Sequence, residues 1–267
     1  MTPNRNAPIG IFDSGLGGLS VWRDIAAMIP SEDVIYIADS AYVPYGVRPP
    51  EEIRQRSIAV ARFLIDRGVK LVVVACNTAS AVAIDDLRIE FPETTFVGLE
   101  PAVKPAVGMS MTGRVGVLAT PRTVTGQRLR VLIEHWSDGV QVNTIAGNGM
   151  VELVEAGVLA GDEVNTVLSP ILDPLLEQQC DVLVLGCTHY PFLRSAIQDY
   201  VGSAVRVIDS GNAVARRTMN LLQNAHILHD RGRAGSLSLT TTGDADDARR
   251  VVKLLIGRDI DVVHADV

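Results

Sequence analysis

Two of the three cysteines in this 267-residue chain directly follow short apolar runs and are themselves followed by polar side chains. Cys76 closes the run Leu71–Ala75 and precedes Asn77-Thr78, while Cys187 closes Val182–Gly186 and precedes Thr188-His189-Tyr190-Pro191. A single cysteine after a buried strand is often just a small core residue. Two of them, each with hydroxyl, amide or imidazole neighbours, read as proton carriers or nucleophiles, since a thiol with an ordinary pKa of about 8.5 can serve in either form near neutrality. His189, two residues from Cys187, is placed to act as its acid/base partner. Cys180 precedes its strand without polar company and reads as structural. Three cysteines at these spacings suit neither a disulfide framework nor a zinc site, and no metal is expected.

A cysteine hydrolase or transferase needs one nucleophile with a base and an oxyanion hole. A redox dithiol usually takes the form Cys-x-x-Cys. Neither calls for a second cysteine at the matching place in a second unit. A reaction that is the same from both sides does call for one. Racemisation at a carbon acid is such a reaction, with one base removing the α-proton from one face and an acid returning a proton to the other. The Gly15-Leu16-Gly17-Gly18 run fits neither the dinucleotide fingerprint nor a lysine-bearing phosphate loop, so it reads as a tight turn offering backbone N–H groups to a small carboxylate. Lysine is scarce, with only Lys70, Lys104 and Lys253, none in a Schiff-base setting, and nothing calls for pyridoxal phosphate.

The elements that must position these groups alternate short β-branched runs with helical stretches, the rhythm of a parallel α/β fold. Strands are predicted at Ile9–Phe12, Val34–Ala38, Lys70–Ala75, Arg114–Ala119 and Asp181–Gly186. Helices are predicted from about Leu19, within 49–68 with Glu51, Glu52 and Arg54–Arg56 on its wet side, and over Asn77–Phe91. The tail predicts a helix near Gly211–Asn224, a strand at Leu237–Thr241, a helix near Asp244–Leu255 and a strand at Ile260–Val263. Sites in open α/β sheets form at the carboxyl ends of strands. Here those ends carry Asp13-Ser14, Asp39, Cys76-Asn77-Thr78, Thr120 and Cys187-Thr188-His189. Asp13 and Cys76 lie 63 residues apart and Thr120 and Cys187 lie 67 apart, which suggests a duplicated unit. The expected organisation is a discontinuous first domain, 1–98 and 209–267, with a second domain, 99–208, inserted in it. A cleft between them would have one cysteine on each wall.

Hydrophobic residues make up 47% of the chain and charged residues 21%, enough apolar side chain for a substantial core. A net charge of −7 speaks against a general nucleic-acid surface. The apolar runs are far shorter than a membrane span of about 20 residues, and the amino terminus lacks a signal-peptide core. A soluble, cytoplasmic protein is expected, with no membrane and no nucleic-acid partner. Arg216-Arg217 and Arg249-Arg250 read as surface pairs.

Four segments carry a family resemblance: Ile11-Phe12-Asp13-Ser14-Gly15-Leu16-Gly17-Gly18, Pro44-Tyr45-Gly46, Ala75-Cys76-Asn77-Thr78-Ala79-Ser80 and Gly186-Cys187-Thr188-His189-Tyr190-Pro191. Together they resemble the signature segments of the glutamate racemases, cofactor-independent members of the aspartate/glutamate racemase superfamily. The resemblance runs from residue 9 to about 211. It implies two similar α/β domains related by a pseudo-twofold axis, and interconversion of L- and D-glutamate for peptidoglycan synthesis with no cofactor. It further implies that Cys76 acts on D-glutamate and Cys187 on L-glutamate, with Asp13 beside Cys76, His189 beside Cys187 and Glu155 supporting the histidine. Asp13, Ser14, Pro44, Tyr45, Gly46, Cys76, Asn77, Thr78, Thr120, Thr123, Cys187, Thr188 and His189 would hold the substrate. A homodimer is the expected assembly. The chain departs from the family pattern at Gly147-Asn148, often Cys-Pro, at Glu152, often Pro, and at Ala119 and Arg122, usually glycines. A related racemase for aspartate or another small acid, a non-catalytic binding or inhibitory protein on the same fold, and a thiol oxidoreductase are the alternatives.

Overall fold

In the computed structural model, which describes residues 4–229 and 232–267, the apolar run Ile9–Asp13 (β1) is buried along its whole length at the centre of a parallel sheet. The chain continues through Leu19–Met28 (α1), Val34–Ala38 (β2), Pro50–Asp66 (α2), Leu71–Val74 (β3), Asn77–Glu90 (α3) and Phe96–Val97 (β4). It then builds Val103–Met109 (α4), Arg114–Ala119 (β5), Pro121–Val124 (α5), Gln127–Trp136 (α6), Gln141–Ala146 (β6), Met150–Ala156 (α7), Asp162–Glu177 (α8), Val182–Gly186 (β7), Arg194–Val201 (α9) and Arg206–Asp209 (β8). The tail adds Gly211–Asn224 (α10), Leu237–Thr241 (β9), Ala245–Ile256 (α11) and Val262–His264 (β10).

The strands form two parallel-sheet α/β units. One sheet runs β10-β9-β2-β1-β3-β4 and the other β6-β5-β7-β8. Setting aside the two tail strands, the orders β2-β1-β3-β4 and β6-β5-β7-β8 are the same pattern of second, first, third and fourth strand, so the duplication inferred from spacing is a duplication of topology. The central strands β1, β3 and β7 are buried on both faces, as their unbroken apolar runs require when helices cover a parallel sheet. The tail strands β9 and β10 extend the first sheet beyond β2, and α10 packs on α1.

Two differences from the sequence reading have physical causes. Strand β6 and the two-residue β4 are not legible as strands: β6 (Gln141–Ala146) mixes polar Gln141, Asn143 and Thr144 with apolar residues in no regular alternation on a half-exposed edge, and β4 is too short to show a period. On α2, Glu51 and Gln55 do face water, but Arg56 does not: its guanidinium turns inward to Asp39, whose side chain is fully buried. A long arginine stem can cover apolar surface while its head reaches a charge at the strand end. Arg216, Arg217, Arg249 and Arg250 are exposed, as expected of surface pairs. Among the described residues no helix is long and apolar enough to cross a membrane, and no group of three His, Cys, Asp or Glu could hold a metal ion.

Candidate active site

Both cysteines stand within two residues of the ends of central strands, and each begins a turn that the local sequence enforces. Cys76 is the N-cap of α3, with extended backbone and its sulfur accepting the Ala79 N–H at 3.4 Å. The thiol therefore takes the place that Ser, Thr or Asp usually fills, and the position is fixed by the helix it starts. Cys187 follows β7 in a turn that continues through Thr188 and His189 into the 3-10 turn Tyr190–Leu193. Neither is bonded to another sulfur, and both are almost fully buried.

Asp13, at the end of β1, is fully buried and accepts the Ser14 N–H at 2.7 Å, the Gly18 N–H at 2.6 Å and the Thr188 hydroxyl at 3.2 Å. Ser14 Oγ lies 3.3 Å from the same carboxylate and 3.8 Å from the Cys76 sulfur, linking the two. Burial raises the Asp13 carboxyl above its ordinary 3.8, opposed by the nearby His189 charge and the Cys76 thiol. Burial, and after it the Asp13 charge, pushes the Cys76 thiol well above 9.0, so this wall carries a neutral thiol near neutral pH.

On the facing wall, His189 Nδ1 lies 3.7 Å from the Cys187 sulfur and Nε2 lies 2.6 Å from Glu155 Oε1. Burial disfavours charge on the imidazole, but the hydrogen bonds and charges of Cys187 and Glu155 outweigh it and raise the ring well above 6.5. A protonated imidazole thus stands beside one thiol as a carboxylate stands beside the other. The two walls match in layout and differ in the sign of the assisting charge.

The glycine-rich turn serves this arrangement in a way the sequence reading did not expect. Its backbone N–H groups do bind carboxylates, but these are the protein's own: Leu16 N–H donates to Glu155 at 2.7 Å and Gly18 N–H to Asp13. A Cβ at Gly15 would lie 2.2 Å from Glu155 Oε1, and one at Gly17 would lie 2.3 Å from His189 Nδ1. The turn must be glycine because the Glu155–His189 pair lies directly over it. Gly17→Ala is therefore expected to displace the imidazole from Cys187. Overpacking of this kind costs about 1–3 kcal/mol, and an ångström of misplacement costs roughly 100-fold in rate. Thermal unfolding and kcat measured together check this, and an alanine variant with unaltered kcat would contradict it.

A cavity enclosing about 10 Å3, room for roughly one water molecule, lies where the walls meet. Asp13, Ser14, Pro44, Tyr45, Gly46, Cys76, Asn77, Thr78, Thr120, Cys187, Thr188 and His189 line it together with Val151. Thr123 and Glu155 stand behind this surface. Thr123 lies 3.0 Å from Thr120 Oγ1, which in turn lies 2.9 Å from the Thr78 hydroxyl across the cleft. Tyr45 lines the cavity, but its hydroxyl donates to Asp39 at 2.6 Å, and Asp39 is held in turn by Arg56 and by Thr242 at 2.8 Å. Asp39, a strand-end residue like the others, thus buttresses the site from outside. Asn77 presents a buried side-chain N–H group without a hydrogen-bond partner, the kind of orphan donor that a bound acceptor satisfies.

Val151 and Ser20 escaped the sequence reading. Val151 sits four residues before Glu155, hence on the same face of α7, a spacing that would have flagged it. Ser20 donates to the Thr188 carbonyl at 2.8 Å, tying α1 to the Cys187 turn, and no local signal announces so distant a contact. At Gly147, where the chain departs from the family pattern, a Cβ would meet the Tyr190 hydroxyl at 2.4 Å.

Residues 9–218 match the family model described as Asp/Glu/Hydantoin racemase. The chain is 48% identical over 240 residues to the glutamate racemase of Herpetosiphon aurantiacus, covering 90% of this chain and 94% of that one. Its fold is similar to that of a glutamate racemase of Bacillus anthracis, with a TM-score of 0.90, 30% identity and 99% of each chain covered. It is also similar to the glutamate racemase of Francisella tularensis solved with D-glutamate, with a TM-score of 0.86, 27% identity and 98% of each chain covered.

Proposed function

Because the chain belongs to the aspartate/glutamate racemase family, we propose that it interconverts L- and D-glutamate by proton transfer between two thiols and supplies D-glutamate for peptidoglycan. The observation that carries this reading is the pair of buried thiols on opposite walls of one cavity, each with its own ionisable partner. With L-glutamate bound, Cys187 as its thiolate takes the α-proton as the Cα–H bond breaks. The electron pair is held by the α-carboxylate, and Cys76 delivers its S–H proton to the opposite face. Each turnover leaves the thiols in exchanged protonation states, which solvent exchange resets. Nothing is oxidised or reduced, and the two thiols carry both protons, so the step calls for no redox group.

Asp13 and His189 act on the thiols rather than on carbon. Asp13 accepts from Ser14, Gly18 and Thr188 and keeps its carboxylate beside Cys76. Glu155 orients His189 through Nε2 and so presents Nδ1 to Cys187. The orphan Asn77 amide and the Thr78 and Thr120 hydroxyls supply donors for substrate carboxylates, where hydrogen bonds that strengthen as charge moves onto the α-carboxylate lower the barrier. A homodimer acting in the cytoplasm completes the reading.

The test is proton NMR of the purified protein with L-glutamate in D2O, without added cofactor, followed by chiral separation. Loss of the α-proton signal with D-glutamate appearing is the expected result. Exchange with aspartate but not glutamate would move the specificity within the family. Silence with both would overturn the assignment.

A further inference from the structure

A cavity of about 10 Å3 is far smaller than a five-carbon diacid, so its walls must part to admit one. Along one side they meet where α5 of the second unit lies against the 3-10 turn Tyr45–Val47 and α3 of the first. Three contacts make this seam beside the cavity, and farther out Arg128 adds a bridge to the Ser80 carbonyl at 3.3 Å and to Asp85 at 3.2 Å. Thr78 and Thr120 share a hydrogen bond of 2.9 Å. Gly46 packs so close to Thr120 that a Cβ would come within 2.7 Å of the threonine Cβ. Arg122 Nη2 donates to the Arg48 carbonyl at 2.9 Å.

The last of these differs in kind from the others. Arg48 ends the turn that presents Tyr45 and Gly46 to the cavity, and its own side chain ties back to the Tyr42 carbonyl and to Glu52. With the Tyr45 hydroxyl on Asp39, the 42–48 loop is bound into the first unit as one piece. Arg122 reaches it from two residues beyond Thr120, on the opposite wall. Unlike Arg56, which holds Asp39 through two nitrogens, Arg122 clasps its carbonyl through one, and its Nε is buried without a hydrogen-bond partner. A guanidinium held by one bond has only that bond to break when the seam opens. Arg122 also borders an open groove of about 720 Å3 shared with Arg54, Arg128 and His135, so it has somewhere to swing.

We propose that Arg122 is a positioning residue that holds the closed site shut through the loop it clasps, and so governs the binding and release of glutamate. This rests on the glutamate reading above. Removing a charge-assisted hydrogen bond made only in the closed state shifts the balance toward the open state by about ten-fold. In Arg122→Ala, KM for glutamate therefore rises about ten-fold while kcat does not fall, because the groups at the reacting carbon are untouched. Arg122→Gln, which keeps a neutral donor, falls between the two. A KM within two-fold of the parent in both variants, or a lowered kcat at unchanged KM, overturns the proposal.

A second measurement needs no substrate. Backbone hydrogen exchange in the 42–50 and 117–126 segments is expected to quicken several-fold in Arg122→Ala, with segments of the distant β9–β10 edge unchanged. Equal protection in parent and variant overturns the clasp. Should the parent protein fail to racemise glutamate, the functional reading falls, yet the exchange comparison still decides what Arg122 does.

Discussion

Cys76→Ala and Cys187→Ala are each expected to lower racemisation by at least about 1,000-fold, within the roughly 100- to 10,000-fold that a positioned acid or base contributes. The loss in each variant is stereochemically distinct. Without Cys76, the base that serves L-glutamate remains, but no donor stands on the opposite face. Any α-proton taken from L-glutamate returns, exchanged with solvent, to the side it left. Residual deuterium incorporation in Cys76→Ala is therefore confined to L-glutamate, and in Cys187→Ala to D-glutamate. Following both enantiomers by NMR and chiral separation distinguishes this from a general loss of fold, which would silence both together. Activity within ten-fold of the parent in either variant would sink the two-thiol mechanism. So would equal exchange of both enantiomers.

The second large effect concerns pH. Racemisation needs one thiol ionised and the other protonated, so kcat/KM is expected to be bell-shaped. Its basic limb is set by the groups that must keep a proton. Burial and Asp13 hold the Cys76 thiol well above 9.0, and Cys187 and Glu155 hold His189 well above 6.5. Both shifts move the loss of the required proton upward, so activity extends above the pH at which an ordinary thiol or imidazole would have lost it, and falls once that proton leaves. On the acid side, protonation of Asp13, raised from 3.8 by burial, removes the charge beside Cys76. A flat profile between pH 6 and 11 contradicts the mechanism.

The unlike partners of the two thiols add a constraint. Enantiomers have equal free energies in water, so kcat/KM must be the same in both directions at every pH. The chemical asymmetry between a carboxylate-flanked and an imidazolium-flanked thiol can therefore show only in kcat and KM separately, as differences that cancel in the ratio.

Much of this site could be read along the chain because parallel sheets bring strand ends to one edge, and the apolar runs before Asp13, Cys76, Thr120 and Cys187 are easily seen. What escaped were bonds between residues far apart in sequence. Nothing near Gly15 indicates that Glu155 will occupy the space where a side chain would be. Nothing near Arg56 indicates that Asp39 is its partner, so its place in a charged stretch of α2 made it look solvent-facing. Strand β6 was hidden by its own polarity, since an edge strand need not be apolar throughout. The long helix α8 carries Pro170 and Pro174 within it, which blur its start and stop signals.

The position of β9 beside β2 sets an order of events during synthesis. Strand β2 ends at Ala38, and its outer neighbour begins at Leu237. Roughly two hundred residues must leave the ribosome between them, which takes about 10–40 seconds at bacterial and eukaryotic rates. Throughout that interval the first sheet has an open edge of buried, apolar character, the kind of edge that recruits stray strands. The inserted unit faces no such delay, because its four strands lie within one uninterrupted stretch from Arg114 to Asp209. The half of the molecule that begins second is thus the first that can be finished, and it is complete while the half that encloses it still awaits its border.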